Sequence, residues 1–208
     1  MKSDDIAYLE TTIPSLHGWC SLAKAKQMYE LVLACDHDRG PVCVELGVFA
    51  GRSLLAIALG ARATNGKAFG IDAWSKDASA QGVNDTANTE WWNNIDYEFF
   101  YSYTQNVLKD AKVDEHTTLI RDTSTVQHVV DQFADESISM LHQDSNHSEA
   151  ITIAEVNLWC NKVKIGGHWV FDDTDWPTTE LAQDLLLQKG YELVFTEQEG
   201  KHKVYRRI

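Results

Sequence analysis

Pro41-Val42-Cys43-Val44-Glu45-Leu46-Gly47-Val48-Phe49-Ala50-Gly51-Arg52-Ser53 reads as a short apolar strand, a glycine turn and the first turn of a helix. Val42, Val44 and Leu46, with Cys43, make a compact apolar run of strand length, and Pro41 can only start it. Gly47 and Gly51 bracket a tight turn, and Ser53-Leu54-Leu55-Ala56-Ile57-Ala58-Leu59 carries on with helical composition. Glycine has no Cβ, so a ligand can approach the backbone and φ can be positive. The helix that follows offers unpaired N–H groups and a positive dipole end to an anionic or electron-rich ligand. Glu45 is the odd residue, a carboxylate at the end of an otherwise buried strand.

Outward from that stretch, strand and helix alternate. Ala68-Phe69-Gly70-Ile71-Asp72, Thr117-Thr118-Leu119-Ile120-Arg121, Ser137-Ile138-Ser139-Met140-Leu141-His142 and His168-Trp169-Val170-Phe171-Asp172-Asp173 read as strands, the last following a turn at Gly166-Gly167. Helical patterns cover residues 21–36, 124–133, 147–163 and 178–189, and two final strands flank a tight turn at Glu199-Gly200. Residues 36–40 break the first helix, and residues 1–20 read as an irregular or partly helical lead-in. The pattern predicts an α/β fold: a Rossmann-like, doubly wound, mostly parallel sheet with helices on both faces and a C-terminal antiparallel hairpin. One domain is expected, with a helical lead-in over 1–40, a main body over 41–208 and an aromatic-rich insert at about 74–112.

The formal net charge of -13 argues against nucleic acid and against anionic membrane surfaces as partners, because no basic face is available. Cys20, Cys35, Cys43 and Cys160 stand far apart without a Cys-x-x-Cys pair, which reads as buried thiols in a reducing compartment. The first residues lack the basic and apolar regions of a signal peptide, and no apolar run approaches the ~18 residues of a membrane span. A cytoplasmic protein is expected.

In doubly wound sheets ligands bind outside the carboxyl ends of the strands. Glu45, Asp72, Asp144 and the pair Asp172-Asp173 all fall there. Asp72 follows the glycine turn by about 20 residues, where an acid that binds ribose belongs. The turn is Glu-x-Gly-x-x-x-Gly, neither the dinucleotide fingerprint nor a P-loop, so adenosine without a pyrophosphate fits better. Asp144-Ser145-Asn146-His147 forms a second cluster with Asp172-Asp173. If their strands are neighbours, roughly 4.8 Å apart, three hard oxygen donors converge as a site for Mg²⁺ or a similar divalent ion. His147 could accept a proton from a hydroxyl held there. Structural roles compete throughout: Asp72 as a turn or N-cap residue, Asp144 as an N-cap, the aspartate pair as solvated turn chemistry.

Together these stretches resemble class I S-adenosylmethionine-dependent methyltransferases, nearest to the macrocin O-methyltransferase and cephalosporin-hydroxylase-like branch. The resemblance spans residues 41–177. Glu45 to Ser53 looks like the cofactor loop, and Gly70-Ile71-Asp72-Ala73-Trp74 like the ribose-binding strand end. His142-Gln143-Asp144-Ser145-Asn146-His147-Ser148-Glu149 resembles an Asp-Gly-x-His-Ser-Tyr stretch, departing from it at Asn146 and Glu149. Gly166 to Asp173 resembles a glycine-glycine strand ending in acids. The resemblance implies a cofactor site of Glu45, Gly47, Phe49, Gly51, Ser53, Asp72, Ala73, Trp74 and Asp144, with Glu45 and Gly47 at the methionine part and Asp72 at the ribose. Asp122 or Ser124 would meet the adenine, Asp144, Asp172 and Asp173 would hold Mg²⁺, and His147 would be the base.

The expected function is therefore transfer of a methyl group to a hydroxyl of a small molecule, a sugar or natural product. Aromatics at Trp92, Phe99, Phe100 and Tyr103 would line its pocket, or else pack into the core or a homo-oligomer contact. Two other classes stay open. His142-x-Asp144 with a distant His168 or His202 prompts a non-haem iron oxygenase, against which the strand–helix alternation stands. A cofactor-binding but catalytically silent partner protein is the other.

Overall fold

The computed structural model describes residues 2–35, 40–82, 86–199 and 201–208. Its elements are α1 (Lys2–Thr12), α2 (Leu22–Ala34), β1 (Val42–Leu46), α3 (Arg52–Ala63), β2 (Lys67–Ile71), α4 (Lys76–Ser79), α5 (Thr86–Asn93), α6 (Tyr97–Asp110) and β3 (Thr117–Ile120). They continue with α7 (Gln127–Val130), β4 (Ile138–Gln143), α8 (Glu149–Trp159), β5 (Val163–Asp172), α9 (Glu180–Gln188), β6 (Tyr191–Thr196) and β7 (His202–Arg207). The seven strands lie in the order β3-β2-β1-β4-β5-β7-β6. β1 to β5 run parallel, while β7 is antiparallel to both β5 and β6. This is the expected Rossmann-like sheet with its C-terminal hairpin.

Chain order reverses between β1 and β4, so the crevice above that pair is the switch point at which such sheets bind ligands. One face of the sheet is covered by α1, α2, α3 and α6 through Leu9, Met28, Tyr29, Val32, Leu54, Ile57 and Val107. The other is covered by α7, α8 and α9 through Val129, Val156, Trp159, Ala182 and Leu186. The first helices are thus part of the core rather than a loose leader. Among the described residues no helix is long and apolar enough to cross a membrane.

Two local expectations change. Gly166-Gly167 is not a turn before a strand; it lies inside β5, where the pairing with β4 jumps from Ile138↔Val163 to Met140↔His168. Gly166 takes φ +77°, and a Cβ on Gly167 would sit 3.0 Å from the Ser139 carbonyl, so the glycines allow a bulge. The helix expected over 124–133 contracts to α7, because the chain before Gln127 turns across the strand ends instead. The lead-in is partly helical as expected, over Lys2–Thr12. The expected breaks at residues 36–39 and at Gly200 lie outside the described residues.

Candidate functional site

A cavity of about 910 Å³ opens at the carboxyl ends of β1, β2, β4 and β5. Its first half is the loop after β1. Gly47 has φ +83°, and a Cβ there would stand 2.1 Å from the Asp144 carbonyl oxygen. The glycine is therefore demanded by the backbone of the β4 end, whose Asp144 N–H in turn donates to the Leu46 carbonyl at 2.8 Å. Asp72 organises the rest of the loop. Its Oδ2 accepts the N–H groups of Val48 (2.9 Å) and Phe49 (2.8 Å), and its Oδ1 accepts that of Trp74 (2.7 Å). Burial raises the Asp72 pKa, with these N–H donors pulling against it.

Phe49 and Trp74 take positive φ of 50° and 40°, unusual for side chains of that bulk. What holds them is an extra bond set: the Phe49 carbonyl accepts from the Trp74 indole (2.8 Å) and from the Thr104 hydroxyl of α6 (3.0 Å). Strain maintained this way beside a cavity marks a site that the fold is built to hold.

The second half is a cage of charged groups. Lys24, on the first turn of α2, is buried, and its ammonium donates to Asp172 Oδ2 while standing 3.7 Å from Asp144 Oδ2. His142 Nε2 lies 3.9 Å from that Asp172 oxygen and 4.0 Å from Asp144 Oδ2, and its Nδ1 is 2.7 Å from Glu45 Oε1. On the far side His147 Nε2 sits 3.7 Å from Asp144 Oδ1 and 3.1 Å from Asp173 Oδ2, without hydrogen-bond alignment. Asp173 is itself held at φ +48°.

Burial pushes the Asp144 pKa well up, the Asp172 charge adding to it. Asp172 goes the other way: burial would raise it, but the Lys24 ammonium, with His142, holds it far below the usual carboxylate range. Burial lowers His147 against the pull of Asp173, so it is a neutral imidazole at pH 7. Among the described residues, Glu45 Oε2 and the Nε2 atoms of His142 and His147 are buried without a hydrogen-bond partner.

Gly47, Phe49, Ser53, Asp72, Ala73, Trp74, Asp122, Ser124, Asp144, His147, Asp172 and Asp173 all line the cavity. Two expected cofactor residues do not. Glu45 is wholly buried beneath the floor, turned to His142, because alternation along β1 points it into the helix-covered face beside β4. Gly51 is the left-handed residue before α3 and packs on Thr104. Asp122 is engaged with the Thr123 N–H (2.7 Å) and His128 (2.8 Å). Among the histidines that prompted the oxygenase reading, His142 converges with Asp144, because residues i and i+2 of a strand share a face. His202 instead bonds Gln27 at 2.7 Å.

Three roles were not foreseen. Lys24 is the first; it falls on the buried stripe of α2 with Met28 and Val32, in a helix first turn where cations are disfavoured. That combination was the available signal. Glu155 is the second: buried in α8, it accepts from Ser124, from Ser145 (2.5 Å) and from Gln143 (2.7 Å), fixing the back of the cavity. Asn146 is the third. Its amide donates to the carbonyls of Ser79 (3.2 Å) and Gln81 (2.8 Å), tying the segment around α4 to the cage. At the mouth Trp19 stacks on Phe49 at 5.5 Å, with Trp91, Trp92 and Phe100 packed around that ring.

A family profile described as a methyltransferase domain matches residues 44–174. No curated protein matches the chain by sequence. Solved structures share the fold at low identity. A Corynebacterium glutamicum protein superposes with TM-score 0.68 at 13% identity, covering 98% of this chain and 89% of that one. CalS11, a calicheamicin methyltransferase described as a TDP-rhamnose 3'-O-methyltransferase, gives 0.64 at 16% identity, over 99% and 92%. TomG of Streptomyces achromogenes, an O-methyltransferase of tomaymycin synthesis seen with S-adenosylmethionine, gives 0.63 at 13%, over 98% and 89%.

Proposed function

The chain belongs to the methyltransferase-domain family, and from that premise we propose that it is an S-adenosylmethionine-dependent O-methyltransferase acting on a hydroxyl of a small molecule. We place it in the macrocin O-methyltransferase and cephalosporin-hydroxylase-like branch, with a sugar or natural product as acceptor. The observation that carries the reading is one cavity with two unlike halves, a backbone loop knitted by Asp72 facing a cage of Asp144, His147, Asp172 and Asp173. The loop suits a nucleoside: Asp72, with three backbone N–H groups already bound, keeps one acceptor site for a hydroxyl, and Ala73, Asp122 and Ser124 continue the same wall. An aromatic mouth with a charged floor suits an acceptor with an apolar or sugar face and a hydroxyl to be held. The acceptor named for CalS11, TDP-rhamnose, has such a sugar face.

S-adenosylmethionine, when bound, supplies an electrophilic methyl group. The chain's own residues do the rest. The cage orients the acceptor oxygen toward the cofactor half, and such positioning accounts for much of the rate in transfers of this type. His147, neutral because buried, takes the hydroxyl proton on Nε2. The aromatic ring of Trp176, 5.3 Å from His147, shields that imidazole from water.

The resemblance also implies Mg²⁺ on Asp144, Asp172 and Asp173. The donors are right in kind, but Mg²⁺ demands a full octahedral shell. The Asp172 oxygen turned toward the cage centre already accepts from an ammonium. With Lys24 in place the trio does not fit the ion.

The test is a thermal melt with S-adenosylhomocysteine, with NAD as control. At ~100 times its dissociation constant the ligand adds ~2.7 kcal/mol, a rise of about 5–10 °C at this size. A shift with NAD alone would discard the reading. A shift with S-adenosylhomocysteine but no turnover on any hydroxylated acceptor would favour the silent binder.

A further inference from the structure

The carboxylate cage has a cation in it already, and that cation belongs to the chain. Lys24 Nζ donates to Asp172 Oδ2 and lies 3.7 Å from Asp144 Oδ2, between the two acids that would grip an ion. Nothing about the placement is loose. The lysine is only 5% exposed, Ser21 caps the helix by accepting the Lys24 N–H at 3.1 Å, and α2 packs along α3 through Met28, Tyr29 and Val32. A buried lysine without acids would be costly, and half-buried acids crowded together without a cation would repel one another. Each therefore explains the other's presence.

The geometry also gives the ammonium something to do. His147 and Lys24 stand at the two oxygens of one carboxylate, 3.7 Å from Asp144 Oδ1 and 3.7 Å from Asp144 Oδ2 respectively. Both line the cavity. An acceptor oxygen in front of Asp144 therefore lies between a neutral imidazole and an ammonium with a donor to spare.

We propose that Lys24 is the resident cation of this cage, occupying the place of a divalent ion and holding the acceptor oxygen by a charge-assisted hydrogen bond. The inference rests on the methyl-transfer reading. In the step, the acceptor oxygen bonds to the methyl carbon while the carbon–sulfur bond breaks and its electron pair stays on sulfur. The hydroxyl proton passes to His147, and Lys24 keeps all of its own protons. A fixed ammonium aimed at a developing oxyanion is already oriented before the reaction begins, which is what makes such groups effective.

The test needs no acceptor. Metal-stripped full-length protein is titrated with Mn²⁺, and the free-ion electron paramagnetic resonance signal is read for the wild type, Lys24→Met, the neutral Lys24→Gln and the charge-retaining Lys24→Arg. Each is also melted with S-adenosylhomocysteine. The expected result is no Mn²⁺ uptake by the wild type or Lys24→Arg below about 1 mM. Lys24→Met or Lys24→Gln should take up one ion per chain at least ten-fold more tightly. One Mn²⁺ bound by the wild type below that concentration, with no gain in the neutral variants, overturns the proposal. So do neutral variants that melt cooperatively yet bind no ion, for the cage would then be no cation site. Should both neutral variants fail to fold, the wild-type titration decides. Failure of S-adenosylhomocysteine to shift the wild type would instead sink the methyltransferase reading, whatever the Mn²⁺ result.

Discussion

The two halves of the cavity are built on opposite principles. The loop half is closed upon itself: Asp72 takes three backbone N–H groups, the Phe49 carbonyl takes two side-chain donors, and Gly47 leaves no gap against Asp144. The cage half leaves polar atoms without partners among the described residues, His142 Nε2 and His147 Nε2 included, and stacks acids whose pKa values are driven apart. One half spends its hydrogen bonds on its own shape, and the other keeps them for something else. The difference predicts that damage to the first appears in stability and damage to the second in chemistry.

The sharpest way to break that division is His147→Ala. Turnover, on an acceptor found by screening, should fall by about 10²–10⁴-fold, the usual worth of a general base. Melting should move by only a few degrees, and the S-adenosylhomocysteine shift should survive. A collapse of the melt would show that the cage is structural after all. The wild-type pH profile extends the test. Because burial lowers the His147 pKa, activity should hold below the ordinary ~6.5 and fall only as pH drops through the lowered value. The same residue favours unfolding in acid, because below ~6.5 the unfolded chain takes the proton first.

Gly47→Ala should show first in stability. Its Cβ meets the Asp144 carbonyl at 2.1 Å and its φ is +83°, so about 2–5 kcal/mol of stability should be lost in denaturant melts. It also joins the halves, so cofactor binding and turnover should fall with it. A stable variant would mean that the β1 loop is softer than its bonding suggests. The smallest expected effect is Thr104→Val, near 1 kcal/mol, since the Phe49 carbonyl keeps its bond from Trp74. A loss much above that would put the strain at Phe49 under the control of α6.

The same division decides what could be read from the sequence. The loop half is local: strand, glycine turn and helix follow within 13 residues of one another, and Asp72 closes the next strand. Apolar period and turn chemistry reach that far, and so does the alternation that predicted a parallel sheet with a terminal hairpin. The cage was half legible. Acids at strand ends could be placed on one rim, but not what lies between them. Lys24 comes from 120 residues before Asp144, and only the docking of α2 on α3 brings it there. Glu45 was misplaced for a related reason: that it turns to His142 depends on which strands become neighbours. The glycines of β5 look like a turn in sequence and serve as a bulge, because a pairing shift is a property of two strands together.

Lys24 lies outside the span that the family profile recognises, residues 44–174, yet its ammonium sits between two of that span's acids. The recognisable portion is therefore smaller than the working one. A chimaera that exchanged residues 44–174 between relatives, keeping the border where the likeness fades, would part the acids from the group that balances them. Such grafts should carry α2 with them. For the same reason, substitutions at position 24 and at 144 or 172 should be accepted in pairs more readily than singly, leaving a trace of compensation across a chain separation that no local motif would bridge.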